Sequence, residues 1–392
     1  MKTLAILGDR PTACTGFAVV LNNLANELSK YFRVIYFGRF GQEREFAKET
    51  SLIPGHIFEY VPCQGGVWDE QLVVRLLKHY DEIDYVLSED DWFSAQGMLQ
   101  ASIFCDKPFH LITPIDSLPV SDNAWYNVFT NCDKIYVPNS SYELYNGRKR
   151  ESHVITEVKE RSGDFLKSIY LPHGVDTDLF QPIRVKRNNE FTFLWSGRIE
   201  QRKAPGRTLL AFEKICDKVD ARIIFRSDWN SPNGERFLQY MLRKNLPVDL
   251  EQMSAVKDLP HGDMALLYSK ADVNLCSSMA GGFEMGVTEA AACQVSSIVT
   301  DWTFMNENVV HNKSGWVVPT SGSIYPDMRG RTSGVHNRIW GEISIDALAD
   351  RMLWCYMNQL EVRRAGIWAR EYVKETYHWP TIAKKLKDEI LE

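Results

Sequence analysis

Gly281-Gly282-Phe283-Glu284-Met285-Gly286-Val287-Thr288-Glu289, running on into Ala290-Ala291-Ala292-Cys293, reads as a glycine turn that opens a helix beside carboxylates. An apolar strand, Val273-Asn274-Leu275-Cys276, precedes it. A strand, a glycine turn and a helix start, in that order, aim backbone N–H groups at an anion. Upstream, Ser196-Gly197-Arg198-Ile199-Glu200-Gln201-Arg202-Lys203 follows the strand Phe191-Thr192-Phe193-Leu194-Trp195 and sets two cations, Arg198 and Lys203, five positions apart. The two stretches together suit a nucleotide carrying a diphosphate. Cations would neutralise phosphate oxygens, the helix N-terminus would add donors, and a carboxylate would take ribose hydroxyls.

Outward from these motifs, short apolar runs alternate with helical patterns. Segment 4–7 reads as a strand, 8–16 as a loop, and 17–31 as a helix with Phe17, Val20, Leu21, Leu24 and Leu28 at helical spacing. Further strands are expected at 33–37, 85–87, 109–112, 134–137 and 168–171. The pattern restarts after a polar linker at 184–189, with strands at 191–195, 221–225, 273–276 and 296–300 and helices at 208–216, 264–269 and 284–292. Strands interleaved with helices predict parallel sheets covered on both faces. A chain of 392 residues exceeds one ordinary core. The expected division is an α/β domain over 1–183, a second over 184–375, and a terminal segment, 376–392, whose helix brings Ile382, Leu386 and Ile390 back onto the first domain. Segment 320–340, rich in Gly, Ser and Arg, reads as a loop before a helix at 345–357. In open α/β sheets ligands sit at the carboxyl ends of strands. That rule singles out 8–17, 88–93, 113–118, 172–178, 196–203 and 277–289.

Composition fits a soluble globular protein, with 44% hydrophobic and 24% charged residues. A net charge of −6 gives no general attraction to phosphate backbones, which counts against a dedicated nucleic-acid binder. The eight cysteines show no C-x-x-C and no metal-ligand spacing. They read as small buried hydrophobes in a reducing compartment. The chain runs straight into a strand without a signal-peptide pattern, and it contains no apolar run of about 18 residues. A cytoplasmic protein is expected, in a host cytoplasm if phage-encoded.

These motifs resemble those of the group 1 (family 4-like) glycosyltransferases of the GT-B fold, and the resemblance covers most of the chain. Leu171-Pro172-His173-Gly174-Val175-Asp176-Thr177-Asp178-Leu179-Phe180 is very close to the segment that family carries before its interdomain linker. Gly197-Arg198 with Lys203 matches its phosphate-binding Arg and Lys in type and spacing. Leu267-Tyr268-Ser269-Lys270-Ala271-Asp272 resembles the stretch before its nucleotide-contacting loop. Asn308-Val309-Val310-His311-Asn312-Lys313-Ser314-Gly315-Trp316-Val317-Val318-Pro319 matches its closing strand and turn, and His378-Trp379 a common signature before the last helix. The chain departs from the family at one place. The family usually has two glutamates eight positions apart around a Gly-Phe-Gly turn. Glu289 fits the second, which binds ribose in the family, but the first falls on Gly281 and the last turn glycine is Glu284. Either Glu284 takes over the carboxylate role from a shifted position, or backbone amides alone contact the sugar. Thr15-Gly16-Phe17 resembles a subset of these enzymes, some of them phage-encoded, in which the glycine loop lies near donor phosphates and acceptor.

Each candidate has a plainer alternative. Arg198 and Lys203 could be a solvated surface pair, and Glu289 a first-turn acid worth only about 0.3–1 kcal/mol to its helix. His173 could be a satisfied histidine at a strand end. Asp176-Thr177-Asp178 imitates an Asp-x-Asp metal motif but reads as a turn, and no metal site is expected. Glu89-Asp90-Asp91-Trp92 reads as a solvated loop, with acceptor binding as the second option. Asp116 is a candidate polar contact or base on the acceptor side. Arg148-Lys149-Arg150 and Arg329-Gly330-Arg331 with Arg338 read as solvated faces, or as contacts to an anionic acceptor.

The resemblance implies a retaining transferase that uses a nucleoside-diphosphate sugar, UDP rather than GDP, with no further cofactor. Arg198 and Lys203 would hold the diphosphate and Glu289 the ribose. Gly16, Gly197, Gly282, Phe283 and Glu284 would complete the donor site, and the acceptor would enter near Gly16, Asp116 and His173. The acceptor is by default a glycan or small molecule. A hydroxymethylated base in DNA, or a degenerate protein that binds nucleotide sugars without turnover, are the alternatives.

Overall fold

The computed structural model describes residues 1–13, 15–41, 45–115, 123–138, 143–145, 148–150, 168–185, 190–244, 246–252, 261–324 and 340–392. Its first half supplies β1 (Thr3–Asp9), β2 (Arg33–Arg39), β3 (Ser51–Leu52), β4 (Glu59–Pro62), β5 (Tyr85–Glu89), β6 (Phe109–Ile112) and β7 (Lys134–Val137). A short hairpin, β8 (Glu143–Tyr145) and β9 (Arg148–Arg150), precedes β10 (Ser168–Tyr170). Eight of these strands form one sheet in the order β10-β7-β6-β5-β1-β2-β4-β3, parallel except for the β3–β4 pair. Its helices are α1 (Gly16–Leu28), α2 (Glu70–His79), α3 (Gln96–Phe104) and α4 (Asn123–Asn131).

A second sheet, all parallel, has the order β13-β12-β11-β14-β15-β16. It comprises β11 (Phe191–Ser196), β12 (Ala221–Ser227), β13 (Val248–Gln252), β14 (Val273–Cys276), β15 (Ser296–Thr300) and β16 (Gly315–Val318). Around it lie α5 (Pro205–Glu213), α6 (Pro232–Lys244), α7 (His261–Lys270), α8 (Met285–Ala292), α9 (Ile345–Met357) and α10 (Gln359–Thr376). Every residue of β1, β14, β15 and β16 is buried, the signature of parallel strands covered on both faces. Each sheet carries its own core, one around Leu7, Phe37 and Val86, the other around Phe193, Trp195 and Phe225.

The last helix, α11 (Trp379–Leu391), returns to the first sheet. Its Trp379, Ile382, Ala383, Leu386 and Ile390 share a buried cluster with Leu4, Ile6 and the α1 residues Val20, Leu21 and Leu24. Lys134 Nζ donates to Glu389, and Lys385 Nζ to the Tyr170 carbonyl, which fix the register of this return. The expected GT-B architecture of two Rossmann-like sheets facing across a cleft, with a terminal helix crossing back, is what the chain forms.

Two expectations need correction. Segment 320–340 is not simply a loop: β17 (Thr320–Ile324) pairs antiparallel with β18 (Trp340–Ile343), with a register shift at Thr320/Gly322. Cross-strand pairing overrides the Gly/Ser composition there. The Glu89-Asp90 pair is not solvated, since the two residues are 1% and 2% exposed. Arg329, Arg331, Arg338 and Asp116 lie outside the described residues. The seven described cysteines are all free.

Candidate functional site

In the second sheet, β11 and β14 are neighbours from which the chain departs to opposite sides, so the loops leaving them flank a topological switch point. Those loops are 196–204 and 277–284, and they are bolted together. Met279 N donates to the Arg202 carbonyl at 2.7 Å, and Arg202 Nη1 donates to the Ala280 carbonyl at 3.0 Å. Buried Ser277 Oγ accepts from Trp195 Nε1 and Thr208 Oγ1 and donates to the Lys203 carbonyl at 3.0 Å. The turn 201–203 ends at Ala204 in a left-handed conformation (φ 50°), and Pro205 then starts α5. The sharp reversal sets Lys203 beside the glycine turn.

There Lys203 Nζ meets Glu284 Oε1 at 2.5 Å, with side chains 19% and 14% exposed. Burial alone would raise the Glu284 carboxyl. Lys203 and Arg202 outweigh that and hold it below its ordinary value. Arg198 stands apart, with a 71% exposed side chain whose Nη1 is 3.7 Å from Glu200 Oε1. Arg202 Nη2 lies at 3.7 Å from the other oxygen of Glu200, so this carboxylate orients two guanidinium groups.

Glu289 sits one helical turn further on in α8 and accepts from Tyr268 Oη at 2.9 Å. Burial pushes its carboxyl above the ordinary value, and the Tyr268 hydrogen bond and Arg226 only partly offset this. Glu289 also lines a cavity of about 180 Å³ between the sheets, with Asn22, Asn23 and Asn26 of α1, Asp176 and Met285.

The glycine turn reaches across to the first sheet. A Cβ at Gly282 would lie 2.2 Å from Pro114 Cβ and 2.8 Å from its Cα, so only glycine permits this approach. One at Gly16 would meet Met285 Cε at 3.3 Å, so the starts of α1 and α8 face each other. Gly197 lies against the Trp195 ring and the Lys203 stem. Phe283 stands 4.8 Å, ring to ring, from His173.

On the first sheet the strand ends converge. Thr15 caps α1 by accepting from Ala18 N and donates to Asp9 Oδ2 at 2.5 Å. Arg39, 8% exposed, bridges Asp9 Oδ1 at 2.6 Å and Asp90 Oδ2 at 2.9 Å. His173 Nε2 is 3.0 Å from Glu89 Oε1, both residues buried. Burial raises the Glu89 carboxyl against the pull of His173. Asp176 Oδ1 accepts from the backbone of Asp178 and Leu179, so Asp176-Thr177-Asp178 is a turn, as its setting suggested. Among the described residues no cluster of His, Cys, Asp or Glu could hold a metal, and no helix is long and apolar enough to cross a membrane.

The structure thus pairs Gly197 and Glu284 with Lys203, Gly282 with Pro114, Gly16 with Met285, Phe283 with His173 and Glu289 with Tyr268, and leaves Arg198 exposed. Sequence reasoning missed Arg202, which clamps loop 277–284, and the pairing of Glu89 with His173. Placement at strand ends was the signal available for both.

Residues 176–324 match the family model "Glycosyl transferases group 1". No curated protein matches the sequence. Solved structures share the whole architecture at low identity. The sucrose-phosphate synthase of Thermosynechococcus elongatus superposes with a TM-score of 0.75 at 16% identity, covering 99% of this chain and 98% of that one. Anabaena HepE in complex with UDP-glucose gives 0.72 at 13%, covering 99% of both chains. The E. coli trehalose-6-phosphate protein bound with UDP-2-fluoro glucose gives 0.67 at 9%, again covering 99% of both. The structural likenesses establish the GT-B fold, and within it residues 176–324 match the model of the group 1 glycosyl transferases, a glycosyltransferase domain.

Proposed function

We propose that this chain transfers a sugar, with retention of configuration, from a nucleoside-diphosphate sugar to an acceptor hydroxyl, with UDP preferred over GDP. The observation that carries the reading is the welding of turn 201–203 to loop 277–284 at the switch point, which fixes Lys203 beside the start of α8. Departure of a nucleoside diphosphate builds negative charge, and Lys203, Arg198 and the backbone N–H groups after Gly282 are preorganised to stabilise it without a metal. Glu289, pointing into the cavity with one oxygen on Tyr268, keeps acceptor capacity for ribose hydroxyls. Two solved structures of the same fold, by their descriptions, hold UDP-glucose and UDP-2-fluoro glucose, which supports UDP.

Residues 184–375 form the donor lobe in this reading, and residues 1–183 with 376–392 the acceptor lobe. The acceptor hydroxyl enters near Gly16 and His173 and yields its proton to the leaving phosphate, so no protein nucleophile is invoked. A net charge of −6 favours a glycan or small molecule over DNA as acceptor. The protein works in the cytoplasm, where nucleotide sugars are made.

Calorimetric titration with UDP, GDP and ADP tests the donor site. UDP should bind tightest, and Lys203→Ala should weaken it about tenfold or more, a loss of about 1.4 kcal/mol or more. Arg198→Ala, at an exposed position, should cost less. Equal binding of UDP to wild type and Lys203→Ala would remove the basis of the reading.

A further inference from the structure

We propose that Glu284 holds Lys203 while the donor site is empty and passes to the hydroxyls of the incoming sugar once a diphosphate takes Lys203. The inference rests on the reading of Lys203 as a diphosphate ligand.

The pair is compact and shielded. Nζ and Oε1 are 2.5 Å apart and both side chains are mostly covered, so solvent screens their attraction weakly. A pyrophosphate brought to Lys203 therefore competes with a carboxylate already seated there, and the two anions repel at contact distance. One of them must leave. The backbone beneath is not free to do so, because Gly282 is wedged against Pro114 and Ser277 is tied to Lys203, Trp195 and Thr208. The side chain of Glu284 can turn without moving that backbone. It occupies the N-cap of α8 yet makes no capping hydrogen bond, so its cation partners and a hydrogen bond with the Ser278 side chain are what orient it.

Where the carboxylate goes follows from chemistry. A hexose attached to the second phosphate presents several hydroxyl donors next to Lys203, and a carboxylate offers two acceptor oxygens. The loop 277–284 contains no other carboxylate. Glu284 thus has a repelling phosphate on one side and unsatisfied hydroxyls on the other. The exchange makes sugar-bearing nucleotides better ligands than the bare diphosphate, because only they give the displaced carboxylate new partners.

This predicts opposite signs for one substitution. By calorimetry, Glu284→Gln should bind UDP about three- to tenfold more tightly than wild type, since the competing anion is gone. The same variant should lose most of the wild-type preference for a UDP-hexose over UDP, measured with the best-bound of UDP-glucose, UDP-galactose and UDP-N-acetylglucosamine. Glu284→Ala should tighten UDP likewise, which separates loss of charge from a contact made by the new amide. Unchanged or weaker UDP binding in both Glu284 variants, with Lys203→Ala still impaired, overturns this inference alone. UDP binding that ignores Lys203→Ala, or a wild type that binds none of UDP, GDP and ADP, removes the donor-site reading and this inference with it.

Discussion

Glu289 shows what a buried carboxyl costs the fold. Its carboxyl is raised by burial, so the folded state holds the proton more tightly than the unfolded chain does. A group raised in this way stabilises the fold below its unfolded value of about 4.5 and loses that contribution as pH rises through the folded value. Glu289→Gln keeps an acceptor for Tyr268 and removes the buried charge. Its melting temperature should therefore exceed that of wild type at pH 7, and the difference should shrink to nothing below about pH 4. On the proposed ribose role of Glu289, UDP affinity should fall in the same variant while stability is gained. A Gln variant less stable than wild type at pH 7 would show that Glu289 is structural. None of this was legible in the motif alone: the sequence placed Glu289 in the first turns of a helix, and its partner Tyr268 lies 21 residues away. The same holds for Lys203 with Glu284 and His173 with Glu89, separated by 81 and 84 positions. Residue type and strand-end placement were visible; which charges meet depends on the fold.

At the scale of elements, the alternation of strands and helices was readable because parallel strands buried on both faces are continuous apolar runs. Phe191–Ser196 and Val273–Cys276 were found for that reason. The strand Thr320–Ile324 was not, since Gly and Ser dominate it and only its partner at Trp340–Ile343 makes it extended. Helix α1 was expected to run to Tyr31 but ends at Leu28, with Ser29 closing it through a hydrogen bond to the Ala25 carbonyl. Its beginning matters more. Thr15 caps the helix and also donates to Asp9, which in turn holds Arg39. Thr15→Ala should cost roughly 1 kcal/mol of stability through the lost cap. Thr15→Ser, which keeps the hydroxyl, should restore most of it in chemical denaturation. Equal loss in both variants would show that the methyl packing, not the cap, is what counts.

Across the whole molecule, the two sheets touch through few but close contacts, Gly282 on Pro114, Met285 by Gly16 and Phe283 on His173. Gly282→Ala places a methyl group within 3 Å of Pro114 backbone, so the two sheets must move apart or loop 277–284 must shift. Overpacking of this kind costs roughly 1–3 kcal/mol. The loss should fall on kcat/KM for transfer by about ten- to a hundredfold. A variant with wild-type turnover would mean that the lobes do not need this contact to react.

The return of α11 makes the second lobe an insertion within the first. Trp379, Ile382, Leu386 and Ile390 complete a cluster begun by Leu4 and Ile6, and residues 191–376 are synthesised in between. During translation the first sheet must therefore wait, its α1 face uncovered, while the second sheet, contiguous in the chain, condenses ahead of it. The part made earliest is finished last.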